Sequence, residues 1–323
     1  MRIVMMGTGT FAEPTFEALL ADRHEVVGLV TQPDRPIGQE RGSTRQTGRG
    51  LKVLAQQRQI PVFQPENVNT PDGVKRLQEF APDLLVVAAF GQLLSREVLA
   101  VASQGGINVH ASLLPKYRGA APVAWAIYNG ETLTGVTIIR MSVHLDAGDM
   151  LAQEAVEIEP DATAGHLESR LAVLGSRLAI QVIDQIASGT SRGVKQDKSL
   201  ATKAPKLTKE HGLIDWTRHA KDICNHVRAM QPWPTAYTFW HRADQPAIRL
   251  LVTKARWEQA QTDRVVPGQI MIDAPSTTRF RVAAGQGTLV EILELQPAGK
   301  RRMAGGEFLH GRRPQPGDWL GAE

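Results

Sequence analysis

Along the first 130 residues, short apolar runs alternate with segments whose apolar positions return at helical spacing. RIVMM (2–6) reads as a buried strand, whereas FAEPTFEALLAD (11–22) puts Phe11, Phe16, Leu19 and Leu20 on one helical stripe. EVVGLVT (25–31), VFQ (62–64) and LLVVAA (84–89) repeat the strand pattern, and INVH (107–110) reads as a further strand end. Helices are predicted near 51–58 and across 71–80. The alternation predicts an α/β unit, a mostly parallel sheet covered by helices on both faces.

Past residue 130 the pattern changes. TGVTIIRM (134–141) and MLAQEAVEIEP (150–160) are strand-like and joined only by SVHLDAGD (142–149), which predicts an antiparallel pair, and a helix over 163–188 closes the unit. The stretch after it is polar, Lys-rich and weakly periodic, and reads as a basic linker over 191–210. A helix near 218–230 then leads into AYTFWHR, AIRLLVTKARW, PGQIMID, FRVAAG and TLVEILEL, short β-prone segments that predict a small barrel or sandwich. The expected organisation is a first domain over 1–190, the linker, and a second domain over 211–323.

Composition changes this picture in two places. A single Cys224 excludes an intrachain disulfide and any multi-Cys metal site, and fits a reducing cytoplasm. No apolar run approaches the ~20 residues of a membrane span, and IVMMG is too short for a signal core. Residues 1–194 carry 17 Lys and Arg against 20 Asp and Glu, a net of −3, while residues 195–323 carry 20 against 13, a net of +7. A basic second half suits a polyanionic partner such as nucleic acid, or is simply an Arg-rich surface.

Two motifs mislead. Gly7-Thr8-Gly9-Thr10-Phe11-Ala12 matches a dinucleotide loop between strand and helix, but the acidic residue expected at the end of the second strand is absent, Thr31 standing there. Gly189-Thr190-Ser191-Arg192-Gly193 has the spacing of a nucleophile elbow but follows a helix instead of a strand. The nine His residues never pair at metal-ligand spacing, so no metal is expected.

In a strand, residues two apart share a face, so Asn108 and His110 point the same way at the exit of an apolar strand. An Asn amide can donate to developing negative charge, and a His can move a proton near neutral pH. His144-Leu145-Asp146-Ala147-Gly148-Asp149 supplies carboxylates that could orient the His. Taken alone, the pair reads equally as a turn-capping Asn and a His satisfied by a backbone carbonyl.

INVHASLLPKYRGAAPVAWAIYNG (107–130), followed by TGVTIIRM and LDAGDML, resembles the signature of the folate-dependent formyltransferases. HEVVGLVTQPDRP, FGQLL, APKLTKEHGLIDW and RAMQPWPTAY are similar to the branch of that family that acts on aminoacyl-tRNA, so the resemblance spans nearly the whole chain. It implies a Rossmann-like catalytic domain followed by an OB-like β-barrel. It also implies transfer of a formyl group from 10-formyltetrahydrofolate to the α-amino group of methionine on initiator tRNA, with Asn108, His110 and Asp146 catalytic and no metal.

The same resemblance places folate near Phe90, Gly91, Gln92, Leu93 and Leu94, with Ser112, Leu113, Leu114 and Pro115 as a wall and Arg118 near the substrate. Leu93 and Leu94 read equally as core. For the tRNA it points to the Gly-rich segment bearing Arg35, Arg41, Arg45, Arg49 and Lys52, with Lys206, Lys209 and Arg302 as further phosphate contacts. Trp216 and Trp233 are expected to fix packing. The family expectation is a cytoplasmic monomer. Three departures stand out: Gly9 where Pro is usual, His144 where Gly is usual, and Ala147 where Thr is usual.

Overall fold

The computed structural model describes residues 1–34, 50–259, 266–271 and 279–323. The chain divides into two compact units, Met1–Val123 with Thr132–Ile158 and His166–Lys206, and Ala124–Glu131 with Glu159–Gly165 and Leu207–Glu323. The segment read as a linker therefore divides: through Lys206 it groups with the first unit, and from Leu207 with the second.

In the first unit the chain runs β1 (Arg2–Gly7), α1 (Glu13–Ala21), β2 (Glu25–Val30), α2 (Leu51–Gln57), β3 (Val62–Phe63), α3 (Pro71–Glu79), β4 (Leu84–Ala88), α4 (Arg96–Leu99), β5 (Gly106–His110) and β6 (Arg118–Gly119). After α5 (Pro122–Tyr128), most of which falls in the second unit, it continues through β7 (Leu133–Arg140), β8 (Met150–Glu157), α6 (Ala164–Ala187) and β9 (Lys203–Ala204). One sheet has the order β3-β2-β1-β4-β5-β7-β8. Its first five strands are parallel, and β7 and β8 are added antiparallel.

The middle strands β1 and β4 are almost wholly buried, as their unbroken apolar runs require. By contrast β8, at the sheet edge, alternates half-buried and exposed positions over its second half. Helix starts follow the sequence: Thr70 Oγ1 accepts from Gly73 N (3.1 Å) to cap α3, and Ser95 caps α4. The chain leaves β1 for β2 and β3 on one side and returns to β4 on the other. That reversal opens a crevice at the carboxyl ends of β1 and β4, where open α/β sheets bind ligands.

The dinucleotide-like loop is closed from within. Thr8 Oγ1 lies 3.3 Å from Thr31 Oγ1 and accepts from Gln32 N, so the end of β2 is tied to the loop by hydroxyls where a nucleotide-binding sheet would offer a carboxylate. The Gly189–Gly193 stretch leaves the end of α6, which removes the strand-to-helix geometry of a nucleophile elbow.

The second unit holds α7 (Ala220–Ala229), β10 (Ala236–Arg242), β11 (Gln245–Gln259), β12 (Ile270–Met271), β13 (Phe280–Ala284), β14 (Thr288–Pro297), β15 (Met303–Ala304), α8 (Gly305–Arg312) and β16 (Trp319–Gly321). Its sheet runs β12-β13-β14-β11-β10-β16 and closes through a bridge from Gln269 to Trp319, which makes it a small barrel. Phe280 stacks on Phe308, and Trp240 meets Phe308 edge-on in the core. Trp216 is buried and donates from Nε1 to Thr238 Oγ1 (3.0 Å), a packing role. Among the described residues no helix is long and apolar enough to cross a membrane.

Candidate active site

Strand β5 lies between β4 and β7, with Val87 opposite Asn108 and His110 opposite Thr137. Because β4 and β5 are parallel, Asn108 and His110 emerge at the same end as the Phe90–Leu94 segment that follows β4. The connection from β7 to β8 folds back over them. There Asp146 adopts φ +48°, and Gly148 sits so close to Arg140 that a Cβ would lie 1.7 Å from its carbonyl oxygen.

His110 is buried, and its Nε2 is 2.9 Å from the carbonyl oxygen of Tyr117. A carbonyl only accepts, so Nε2 carries the proton and Nδ1 is the ring edge left for chemistry. Nδ1 faces Asp146 Oδ2 at 3.6 Å, longer than a hydrogen bond, while Asn108 Nδ2 lies 3.5 Å from Asp146 Oδ1. One carboxylate thus stands against an amide donor and an imidazole edge, with gaps that a small polar group can bridge. Oδ2 also accepts from Gly119 N at 2.8 Å, which fixes the rotation of the carboxylate.

A buried network holds the neighbouring loop. Thr137 Oγ1 donates to Ser112 O (2.7 Å) and accepts from Leu114 N, and Gln153 Nε2 reaches both Thr137 Oγ1 and Leu114 O. Ser112 is fully buried, and its hydroxyl is spent on Lys116 O (2.7 Å). Leu114 is buried, while Leu113 and Pro115 are half-buried.

The other residues assigned to folate divide in the same way. Phe90 and Leu94 are buried in the core with Val4, Met6 and Val87. Gln92 braces the chain at Pro65–Val68, accepting from Val68 N (2.8 Å) and donating to Pro65 O (3.2 Å). What this segment leaves open is the Gly91 backbone at φ +80° and the Leu93 side chain, 63% exposed. Gln32 Nε2 fixes the Phe90 carbonyl at 2.9 Å.

Of the basic residues assigned to tRNA, Arg35, Arg41, Arg45 and Arg49 lie outside the described residues. Lys52, in the first turn of α2, is ion-paired with Asp34. The Lys52 ammonium and the Gln64 amide hold the Asp34 carboxyl below its ordinary range. Lys206 and Lys209 are exposed, and Arg302 is exposed and paired with Glu294 at 3.4 Å. Arg118, expected near the substrate, gives its guanidinium to Gln196 Oε1.

A cavity of about 560 Å³ lies between β3 and α3, lined among others by Phe63, Asn67 and Arg76, and includes none of Asn108, His110 and Asp146. Among the described residues Asp22, His24 and Asp184 bring ligand atoms within metal-binding range of one another, and His24 Nε2 and Arg23 are both hydrogen-bonded to Asp184 there. Sequence reasoning missed Gln196, Thr202 and the Tyr117 carbonyl as parts of this region. Nothing in their local pattern marks them, because each acts across a long separation or through its backbone.

A mostly parallel sheet with this Asn-His-Asp cluster at its strand ends is the architecture of a formyl-transferring enzyme. The sequence pattern described as "Formyl transferase" matches residues 1–183 and that of "Formyl transferase, C-terminal domain" matches residues 206–313, and the chain belongs to this family. Among its relatives are proteins named methionyl-tRNA formyltransferase. That of Geobacter sulfurreducens is 43% identical over 99% of this chain and 97% of its own. That of Bacillus velezensis is 41% identical over 99% and 98%. Solved structures share the fold at lower identity. The N-formyltransferase of Helicobacter canadensis, in complex with folinic acid and dTDP-3-aminofucose, has a TM-score of 0.64 at 18% identity, covering 90% of this chain and 98% of that one.

Proposed function

We propose that this chain transfers the formyl group of 10-formyltetrahydrofolate to the α-amino group of methionine on initiator methionyl-tRNA. The observation that carries this reading is end-to-end similarity, at 41–44% identity, to methionyl-tRNA formyltransferases, through both the sheet domain and the barrel domain. The sugar formyltransferases share the fold at 18% identity, which leaves the small-amine reading without comparable support.

The chemistry assigned to the cluster follows from its groups. The amine lone pair attacks the formyl carbon, and the carbonyl electrons move to oxygen. The resulting oxyanion is stabilised by Asn108 Nδ2–H and by His110 Nδ1–H, the two donors that flank Asp146. Asp146 orients His110 and accepts the proton shed by the attacking nitrogen, directly or through one water. Collapse breaks the bond from carbon to the folate N10, which takes up a proton and leaves as tetrahydrofolate. No covalent bond to the enzyme forms at any step.

Folate is assigned to the crevice edge at Gly91 and Leu93 and the loop through Leu113 and Pro115. The tRNA is assigned to the basic residues Arg35, Arg41, Arg45, Arg49, Lys52, Lys206, Lys209 and Arg302, in a cytoplasmic monomer. The test is formyl transfer to methionyl initiator tRNA beside methionyl elongator tRNA and a dTDP-amino sugar. Initiator-selective transfer supports the reading; transfer to the sugar alone overturns it.

A further inference from the structure

We propose that Gln196 is a positioning residue that holds Asp146 in its working conformation, from a segment that passes over the site as a strap. The inference rests on the formyl-transfer reading above. The Gln196 amide is fully committed. Its Nε2 donates to the carbonyl oxygens of Asp146 and Gly148, each at 2.8 Å. Its Oε1 accepts from Arg118 Nε (3.1 Å) and Nη2 (2.6 Å). A guanidinium can only donate, so Arg118 fixes which end of the amide faces the turn. The amide hydrogens must then point at the two carbonyls.

Those carbonyls belong to the turn that gives the site its carboxylate. Asp146 stands at φ +48°, a conformation that non-glycine residues hold only when their surroundings impose it. Its carboxylate is two bonds from that backbone. A turn free to relax would swing it away from His110 Nδ1 and Asn108 Nδ2.

The strap is anchored at both ends. Val194 exchanges backbone hydrogen bonds with Met150 (2.8 and 2.9 Å), and β9 pairs in parallel with β6. Between them Thr202 Oγ1 accepts from Tyr117 N at 2.8 Å, which steadies the carbonyl that holds His110. β6 also carries the Gly119 N–H that grips Asp146 Oδ2. The segment therefore reaches both the backbone and the carboxylate of Asp146, with Gln196 making the most direct contact.

The experiment compares the whole protein with Gln196→Met, which keeps the length without the amide, and with Gln196→Glu, which keeps an acceptor for Arg118 but cannot donate to the carbonyls. Both are expected to lose about 10²-fold in kcat, the cost of a slightly misplaced catalytic group. The KM for tRNA should stay within about twofold and the melting temperature near that of the wild type, since only transition-state positioning is lost. Adding Gln196→Met to Asp146→Asn should slow the enzyme no further, because Gln196 acts through Asp146.

Multiplicative effects in the double variant, wild-type kcat in Gln196→Glu, or a loss that follows melting temperature would each overturn the inference. Amide hydrogen exchange across residues 144–149 separates this outcome from the functional reading. Faster exchange in Gln196→Met is expected even if the wild type formylates no amine, and unchanged exchange removes the strap's role whatever the substrate.

Discussion

Replacing Asp146 by Asn removes one charge while keeping the side-chain shape and an oxygen that can still accept from Gly119 N. In the wild type, Asp146 Oδ2 stands 3.6 Å from His110 Nδ1. Opposite charges at that separation attract by about 4–5 kcal/mol at an effective dielectric constant of ~20. Only 5% of the His110 side chain and 10% of the Asp146 side chain reach solvent, so screening removes little of this. If the imidazolium forms in the transition state, the pair is worth ~10³-fold in turnover. The assay is initial-rate formylation of methionyl initiator tRNA, with kcat and both KM values determined, and with Asp149→Asn as a neighbouring charge control. Asp146→Asn is expected to lose ~10³-fold in kcat with little change in either KM. A loss below about tenfold, or one confined to KM, would refute the role given to the carboxylate.

Three further outcomes are expected. Burial alone pushes the Glu168 carboxyl up from 4.5 to about 7. A raised carboxyl pKa makes the native state bind more protons than the unfolded one, so this contribution is lost as pH rises from about 4.5 through 7. Glu168→Gln should therefore match the wild type at acid pH and gain on it above neutrality by up to about 3 kcal/mol, a ceiling because the side chain keeps some solvent. Denaturant melts at both ends of that range test this, and an unchanged difference would refute it. At Gly119 (φ +130°) a Cβ would lie 2.4 Å from the Ala204 carbonyl oxygen, so Gly119→Ala should part β6 from β9 and cut kcat more than it lowers the melting temperature. Because residues 195–323 carry a net of +7, tRNA binding should weaken steeply with salt while folate binding changes little. Equal slopes would exclude phosphate contacts as the main source of affinity.

Much of the fold was legible because each signal was local. The unbroken apolar runs at 3–6 and 84–88 became the buried strands β1 and β4, and alternation in INVH put Asn108 and His110 on one face of β5. Side-chain commitments were not legible. Sequence left Leu94 open between core and folate site; in the structure it is buried with Phe90, Val4 and Val87. Nothing in the sequence showed that the Ser112 hydroxyl would be given to Lys116 O. Whether His110 Nε2 is free depends on the Tyr117 carbonyl, and that depends on φ +63° at a residue with no turn signature.

The least patterned part of the first unit is also the part that orders the cluster. Two residues near the site, Tyr117 and Asp146, hold left-handed conformations, and each is bonded to the strap, through Thr202 and Gln196 respectively. A helix or strand would hold the two side chains to a fixed period. An irregular segment can present a hydroxyl at one point and an amide at another, as the turns demand. It needs no apolar face, since its stability comes from pairing to Met150 at one end and to β6 at the other. That is why hydrophobic periodicity could not reveal it. It also explains why the catalytic geometry depends on residues beyond 183, where the family's first sequence pattern ends.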